Sequence, residues 1–177
     1  MTLLLIARAT AADPLRHFDA PEWQTYSRTA PPLSLRLPYR FELRPGTARH
    51  EVFKAYYRNP VPSISLRLVP GARDLRQSLQ SLMAEYGPGT DIVYQEEKPV
   101  HGVPALIAYL RWRTANGTEL QSMVLCASAG DRIVLLEAID GAPHTGFDAR
   151  LAESLLSLRL GARDPTADTG ESAPADR

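Results

Sequence analysis

Apolar and polar residues alternate in the first third of the chain with the period of a half-buried strand. Leu33, Leu35 and Leu37 are separated by Ser34 and Arg36 and end at Pro38. Val52 to Tyr57 is dense in β-formers, and Ile64, Leu66 and Leu68 alternate with Ser65 and Arg67 before the Pro70-Gly71 turn. Three strands are predicted here. The spacing then turns helical: Leu75, Leu79, Leu82, Met83 and Tyr86 form one stripe, Asp74 caps it with Gln77 as its capping-box partner, and Gly87-Pro88-Gly89 ends it. Such a stripe packs on a sheet rather than lining a ligand box.

Four more strands follow, over Asp91–Lys98, Val103–Thr114, Glu119–Ala127 and Arg132–Ile139, punctuated by His101-Gly102, Asn116-Gly117 and Gly130-Asp131. Asn-Gly between two such runs signals a hairpin whose two turn positions both want positive φ. A last helix is predicted to open near Thr145, with Asp148 in the cap, and to turn Phe147, Leu151, Leu155 and Leu158 inward. Strands, helix, four-strand meander, helix: the fold class is α+β, an antiparallel β-sheet flanked by helices.

Three local features in this order carry a resemblance. Leu35-Arg36-Leu37-Pro38 followed by Phe41 resembles the opening of the PsbP-like superfamily, also called the DcrB-like or Mog family. Val100-His101-Gly102-Val103-Pro104-Ala105 is similar to that family's V-x-G-x-P-A turn into its central hairpin. Phe147 and Leu155-Leu156-Ser157-Leu158 match its closing helix. The likeness spans about residues 30–160, and Tyr39 and Phe41 stand where the family usually has a Trp. It implies a PsbP-like α/β/α sandwich used for binding: an extrinsic photosystem subunit, a Ran-binding factor, envelope lipoproteins and chaperones of type VI secretion effectors. No shared catalytic site comes with it.

The chain has 177 residues, 44% hydrophobic and 23% charged, which suits one domain with tails. The expected division is residues 1–29 as leader and linker, 30–161 as the domain, and 162–177 as a disordered tail too poor in apolar residues to fold. Leu3-Leu4-Leu5-Ile6-Ala7 before Ala9-Thr10-Ala11 resembles the end of a secretory signal, but it is short and Arg8 interrupts it. Two readings stay open: a signal peptide lacking its upstream part, favouring export to the periplasm or envelope, or a cytosolic leader. No apolar run reaches the length of a transmembrane helix.

Charge adds a third observation. Residues 1–76 carry eleven Arg and Lys54 against six acids, a net of +6, and the remainder carries −6, so the whole is neutral. Eighteen of the twenty basic residues are Arg, which genomic composition explains more simply than binding does. A neutral domain without an RNA-binding or helix-turn-helix pattern is not expected to bind nucleic acid.

Candidate chemistry is thin. His17, His50, His101 and His144 are isolated, with no metal-ligand spacing and no cysteine partner, and read as solvated histidines. Cys126 lies in the apolar run Val124-Leu125-Cys126-Ala127, where a thiol is an inert small hydrophobe, and as the single Cys it excludes an internal disulfide. Glu96 and Glu97 are adjacent on a strand and point to opposite faces, so they make no acid/base pair. With no catalytic motif, the expectation is a non-enzyme with no cofactor and no metal.

What remains is a binding surface. Arg36 and Arg67 fall on the polar faces of their strands, with Arg40, Arg44, Arg49 and Arg58 in the connections. If the first and third strands are neighbours, these residues form a positive surface interleaved with Tyr39, Tyr56 and Tyr57. On the later strand, Trp112 joins Leu106 and Ala108 on the core side, while Ile107, Tyr109, Arg111 and Arg113 share the other face as an amphipathic patch. Arg36, Arg67, Tyr109, Arg111 and Arg113 are therefore the candidate partner-binding residues. The expected function is engagement of a protein partner, in the bacterial envelope or as a secretion-effector chaperone. A small-molecule or lipid carrier is the alternative, and an enzyme with a fold-assembled site a third. A homodimer is left open. On this facing, Leu66→Asp unfolds the domain and Arg67→Asp leaves it folded.

Overall fold

The computed structural model describes residues 23–57, 61–71, 74–141 and 147–161. Within them the chain runs β1 (Trp23–Thr29), β2 (Pro32–Pro38), β3 (Glu42–Pro45), β4 (Glu51–Tyr56), β5 (Ser63–Pro70), α1 (Leu75–Tyr86), β6 (Asp91–Val100), β7 (Val103–Arg113), β8 (Glu119–Ala129), β9 (Arg132–Asp140), α2 (Ala149–Leu156) and β10 (Arg159–Leu160). The class is the α+β arrangement expected from the sequence. No helix is long and apolar enough to cross a membrane.

Two antiparallel sheets form. The larger has seven strands in the order β3-β4-β5-β9-β8-β7-β6, and the smaller has three, β1-β2-β10. The larger sheet is apolar on both faces, which is why its central strands read as continuous apolar runs rather than alternations. On one face Leu79 and Leu82 of α1 pack with Leu106, Ala108, Leu110, Trp112, Val124 and Leu135. On the other, Ile64, Leu66, Ile107, Met123 and Leu136 pack against Leu33, Leu35 and Leu37 of the small sheet and Leu151 and Leu155 of α2.

The helix caps follow the sequence. Asp74 accepts from the Arg76 N–H and Asp148 from the Arg150 N–H, each satisfying a donor that the first turn leaves free. The second cap corrects the expected start near Thr145, a residue outside the described ones; α2 begins at Ala149. One sequence boundary and one turn assignment also change. Trp23–Thr29, expected as linker, pairs with β2 along its whole length, so the domain includes it. And the tight turn with two left-handed residues is His101-Gly102, at φ 47° and 82°, whereas at Asn116-Gly117 only Gly117 is left-handed, in a wider loop closed by the Thr114 N–H donating to the Thr118 carbonyl.

The small sheet is tied to α2 through the backbone of one residue. The Arg36 N–H donates to Ser157 Oγ at 2.8 Å, Ser154 Oγ donates to the Arg36 carbonyl, and the Arg36 guanidinium pairs with Glu153 at 2.7 Å. β10 pairs β2 only at Leu33 and Ser34, so the two serines satisfy the ladder groups just beyond its end.

Candidate functional site

The five residues singled out by sequence fall in three places. β2 and β5 belong to different sheets, so the condition for a joint Arg36 and Arg67 surface is not met. Arg36 lies on the outward side of the small sheet, with its guanidinium 5.0 Å from the Trp23 ring centre and paired with Glu153. Arg67 does sit on the polar face of β5, but α1 covers that face. Its side chain is only 12% exposed, and Nη1 donates to both Glu85 oxygens at 2.8 and 2.7 Å. Alternation told the facing correctly and could not tell that a layer lay above it.

Under α1 the same face holds a group that the sequence reading passed over. Glu137 is fully buried on β9, across from Ser65, and receives a hydrogen bond from the Tyr86 hydroxyl. The Tyr86 ring stacks on Trp112 with centres 4.3 Å apart and planes 9° from parallel. Burial pushes the Glu137 carboxyl up, opposed by the Tyr86 hydroxyl and the Arg67 charge. The signal was a lone acid inside Leu135-Leu136-Glu137-Ala138-Ile139. Cys126, buried nearby, has its thiol pushed up to about 12 by burial and then by Glu137, which fits the inert role expected of it.

Tyr109, Arg111 and Arg113 do share a face of β7, yet the patch is not the open one expected. Ile107 is 2% exposed because the α2 layer covers that end of the strand. Tyr109 meets Phe147 edge-on at 5.6 Å, at the boundary of this cover. Beyond it, Arg111 and Arg113 reach Glu119 at 3.5 and 3.7 Å, and Asp91 stands across from Arg111. Nearby carboxylates thus offset the two arginines.

What stays open is apolar, and it lies next to them. β6 ends the sheet order, so its outer rim of N–H and C=O groups has no strand partner among the described residues. Its register slips between Ile92 and Tyr94, and Ile92, Val93 and Tyr94 are 43%, 58% and 47% exposed, the largest run of exposed apolar side chains on the described surface. Tyr94 joins the β7 face through Tyr109, ring centres 6.0 Å apart. The rest of β6 is guarded: Glu96 pairs with Lys98, Glu97 with Arg76, and Pro99 has no N–H to offer. The usable edge is short, about Ile92 to Gln95.

His50 and His101 sit towards opposite edges of the large sheet, at the β4 and β6 ends, with His101 Nε2 3.1 Å from the Leu156 carbonyl. Among the described residues no three His, Cys, Asp or Glu side chains gather as metal ligands would. His17 and His144 lie outside the described residues.

No family model matches the chain, and no curated protein does. Among solved structures the fold is similar to the solution structure of cyanobacterial PsbP (CyanoP) from Synechocystis, with a TM-score of 0.64 at 10% identity over 80% of this chain and 94% of that one. It is also similar to a crystal structure from Bacteroides thetaiotaomicron, with a TM-score of 0.54 at 13% identity, covering 77% of this chain and 48% of the other, so the chain spans about half of that protein. At such identities the likeness concerns the fold: the domain is PsbP-like in architecture.

Proposed function

We propose that this PsbP-like domain, of the PsbP/DcrB type, is a non-catalytic binding module that takes up an extended segment of a protein partner along β6. The observation that supports this most directly is the exposed Ile92-Val93-Tyr94 run on an unpaired sheet edge. An incoming strand pairs with the free backbone groups while alternate side chains meet Tyr94, Tyr109 and the flanking Arg111 and Arg113. Arg36 and Arg67 take no part. Because Glu119 and Asp91 offset the arginines, recognition rests on backbone pairing and apolar contact, and affinity depends little on salt.

The two cellular settings are not equally favoured. Shielding an effector's apolar helices needs a broad open sheet face, and here α1 covers one face and the small sheet with α2 the other. A module of the bacterial envelope fits a narrow edge better.

The test places a photocrosslinking amino acid at Val93 of the full chain in its host, and at Leu43 on the opposite edge strand as control. One adduct of defined mass is expected at position 93, lost on Tyr94→Lys, and none at Leu43. Equal adducts at both positions, or none at 93, overturn the proposal. So does a dimer of the purified chain that Val93→Lys dissociates, since a second copy is then the occupant.

A further inference from the structure

A cleft of about 420 Å³ opens beside Arg67, between α1 and β5. It lies toward the β4 end of the large sheet, away from β6. Arg49 and His50 from the β3–β4 connection and Arg67 from β5 line it, with Glu85 of α1 as the acid among its lining residues. Val69 and Pro70 add apolar surface, above the buried Leu82 and Leu135. The volume is that of sites that hold metabolite-sized molecules, which run from about 300 to 1,000 Å³.

Charge in this cleft is out of balance. Both hydrogen bonds from Arg67 to Glu85 leave from Nη1, and the buried Nε has no acceptor. A second guanidinium, that of Arg49, and the imidazole of His50 then face a cleft whose one lining carboxylate is already engaged. Two other acids stand near Arg67: Glu137, whose carboxyl burial pushes up, and Glu51, across from it on β4 and already accepting from the Thr47 and Ala48 N–H groups. Gln77 and Ser78 in the first turn of α1 also line the cleft, beside the helix end that the Asp74 carboxylate caps. The mouth is a built turn: His50 is held at φ 63°, and its carbonyl accepts from the Leu68 N–H at 2.9 Å.

We infer that this cleft binds a small organic anion, with a carboxylate or phosphate group against Arg49 and His50 and an apolar body on Val69 and Pro70. Arginine suits either head group, since its fork of donors matches both. The site is independent of the β6 edge, and either can fail without the other.

The experiment is an amide-resolved NMR titration of the full chain with inorganic phosphate, phenyl phosphate and benzoate at fixed ionic strength. Saturable shifts are expected at Arg49, His50, Gln77 and Ser78. Burying the ring should make phenyl phosphate about tenfold tighter than inorganic phosphate. Whichever of phenyl phosphate and benzoate binds more tightly identifies the head group. Arg67 variants test this poorly because they unsettle α1, so Arg49→Ala serves: it is exposed, should leave the urea midpoint unchanged, and should weaken binding about tenfold. Shifts that do not saturate, that spread over the basic surface, or that survive Arg49→Ala overturn the inference. Phenyl phosphate binding no better than inorganic phosphate overturns the apolar half of it.

Discussion

Replacing Tyr86 with Phe removes one oxygen from the polar contact made to the buried Glu137 and leaves the rest in place. The ring keeps its stack on Trp112, and only the hydroxyl that donates to Glu137 is lost. Glu137 is fully buried, so water does not replace that donor. A hydrogen bond to a charged group contributes about 1.5–3 kcal/mol and a neutral one about 0.5–1.5. The loss therefore depends on the protonation of Glu137. Its folded pKa is raised by burial, so the folded state holds a proton that the unfolded chain has already released, and stability falls as pH rises from the usual carboxylate range through the folded value. The Tyr86 hydroxyl lowers that folded value, and without it the carboxyl moves higher still. Urea unfolding of Tyr86→Phe should show a loss of about 0.5–1.5 kcal/mol at pH 4, growing toward about 1.5–3 kcal/mol as pH rises through the folded value of Glu137. A loss that does not grow with pH, or that stays below about 0.5 kcal/mol throughout, would refute this account.

Arg67→Asp sets a third carboxylate beside Glu85 and Glu137 at a largely buried position, and is expected to cost about 3 kcal/mol in urea unfolding, against the sequence expectation that it folds normally. Leu66→Asp, at a fully buried position, should leave no cooperative transition by circular dichroism. Gly46→Ala drives a Cβ into the Glu51 carbonyl, closer than real Cβ atoms approach backbone, so a loss of about 1–3 kcal/mol is expected in thermal unfolding. Cys126 should resist iodoacetamide at pH 8 in the folded protein and react once urea unfolds it, because burial holds the thiol up at about 12.

Most of the large sheet was legible because its strands announce themselves by period and turn. The assignment of layers was not. Ser65 and Arg67 look like a solvent face, and only the later arrival of α1 over them makes it an interior one. Ala105-Leu106-Ile107-Ala108 is an unbroken apolar run, the mark of a strand covered on both faces, so the patch read as open at Ile107 was already in doubt from that run. β1 was missed because Gln24, Thr25 and Ser27 hide the two aromatic positions that matter, Trp23 on Arg36 and Tyr26 on Phe53. Tyr109, Arg111 and Arg113 were found together by simple alternation, whereas Tyr94 depends on a bulge, which no period reveals.

The serine contacts at Arg36 set an order of events during synthesis. Ser154 and Ser157 lie 118 and 121 residues after Arg36, so the first strands to leave the ribosome have no lid until nearly the last residues of the domain appear. At about 5–20 residues per second, that is a wait of about 6 to 24 seconds. During it, the leucines of β2 and the matching face of the large sheet are exposed to the cell together, and a chain stopped before α2 is a client for chaperones rather than a smaller working domain.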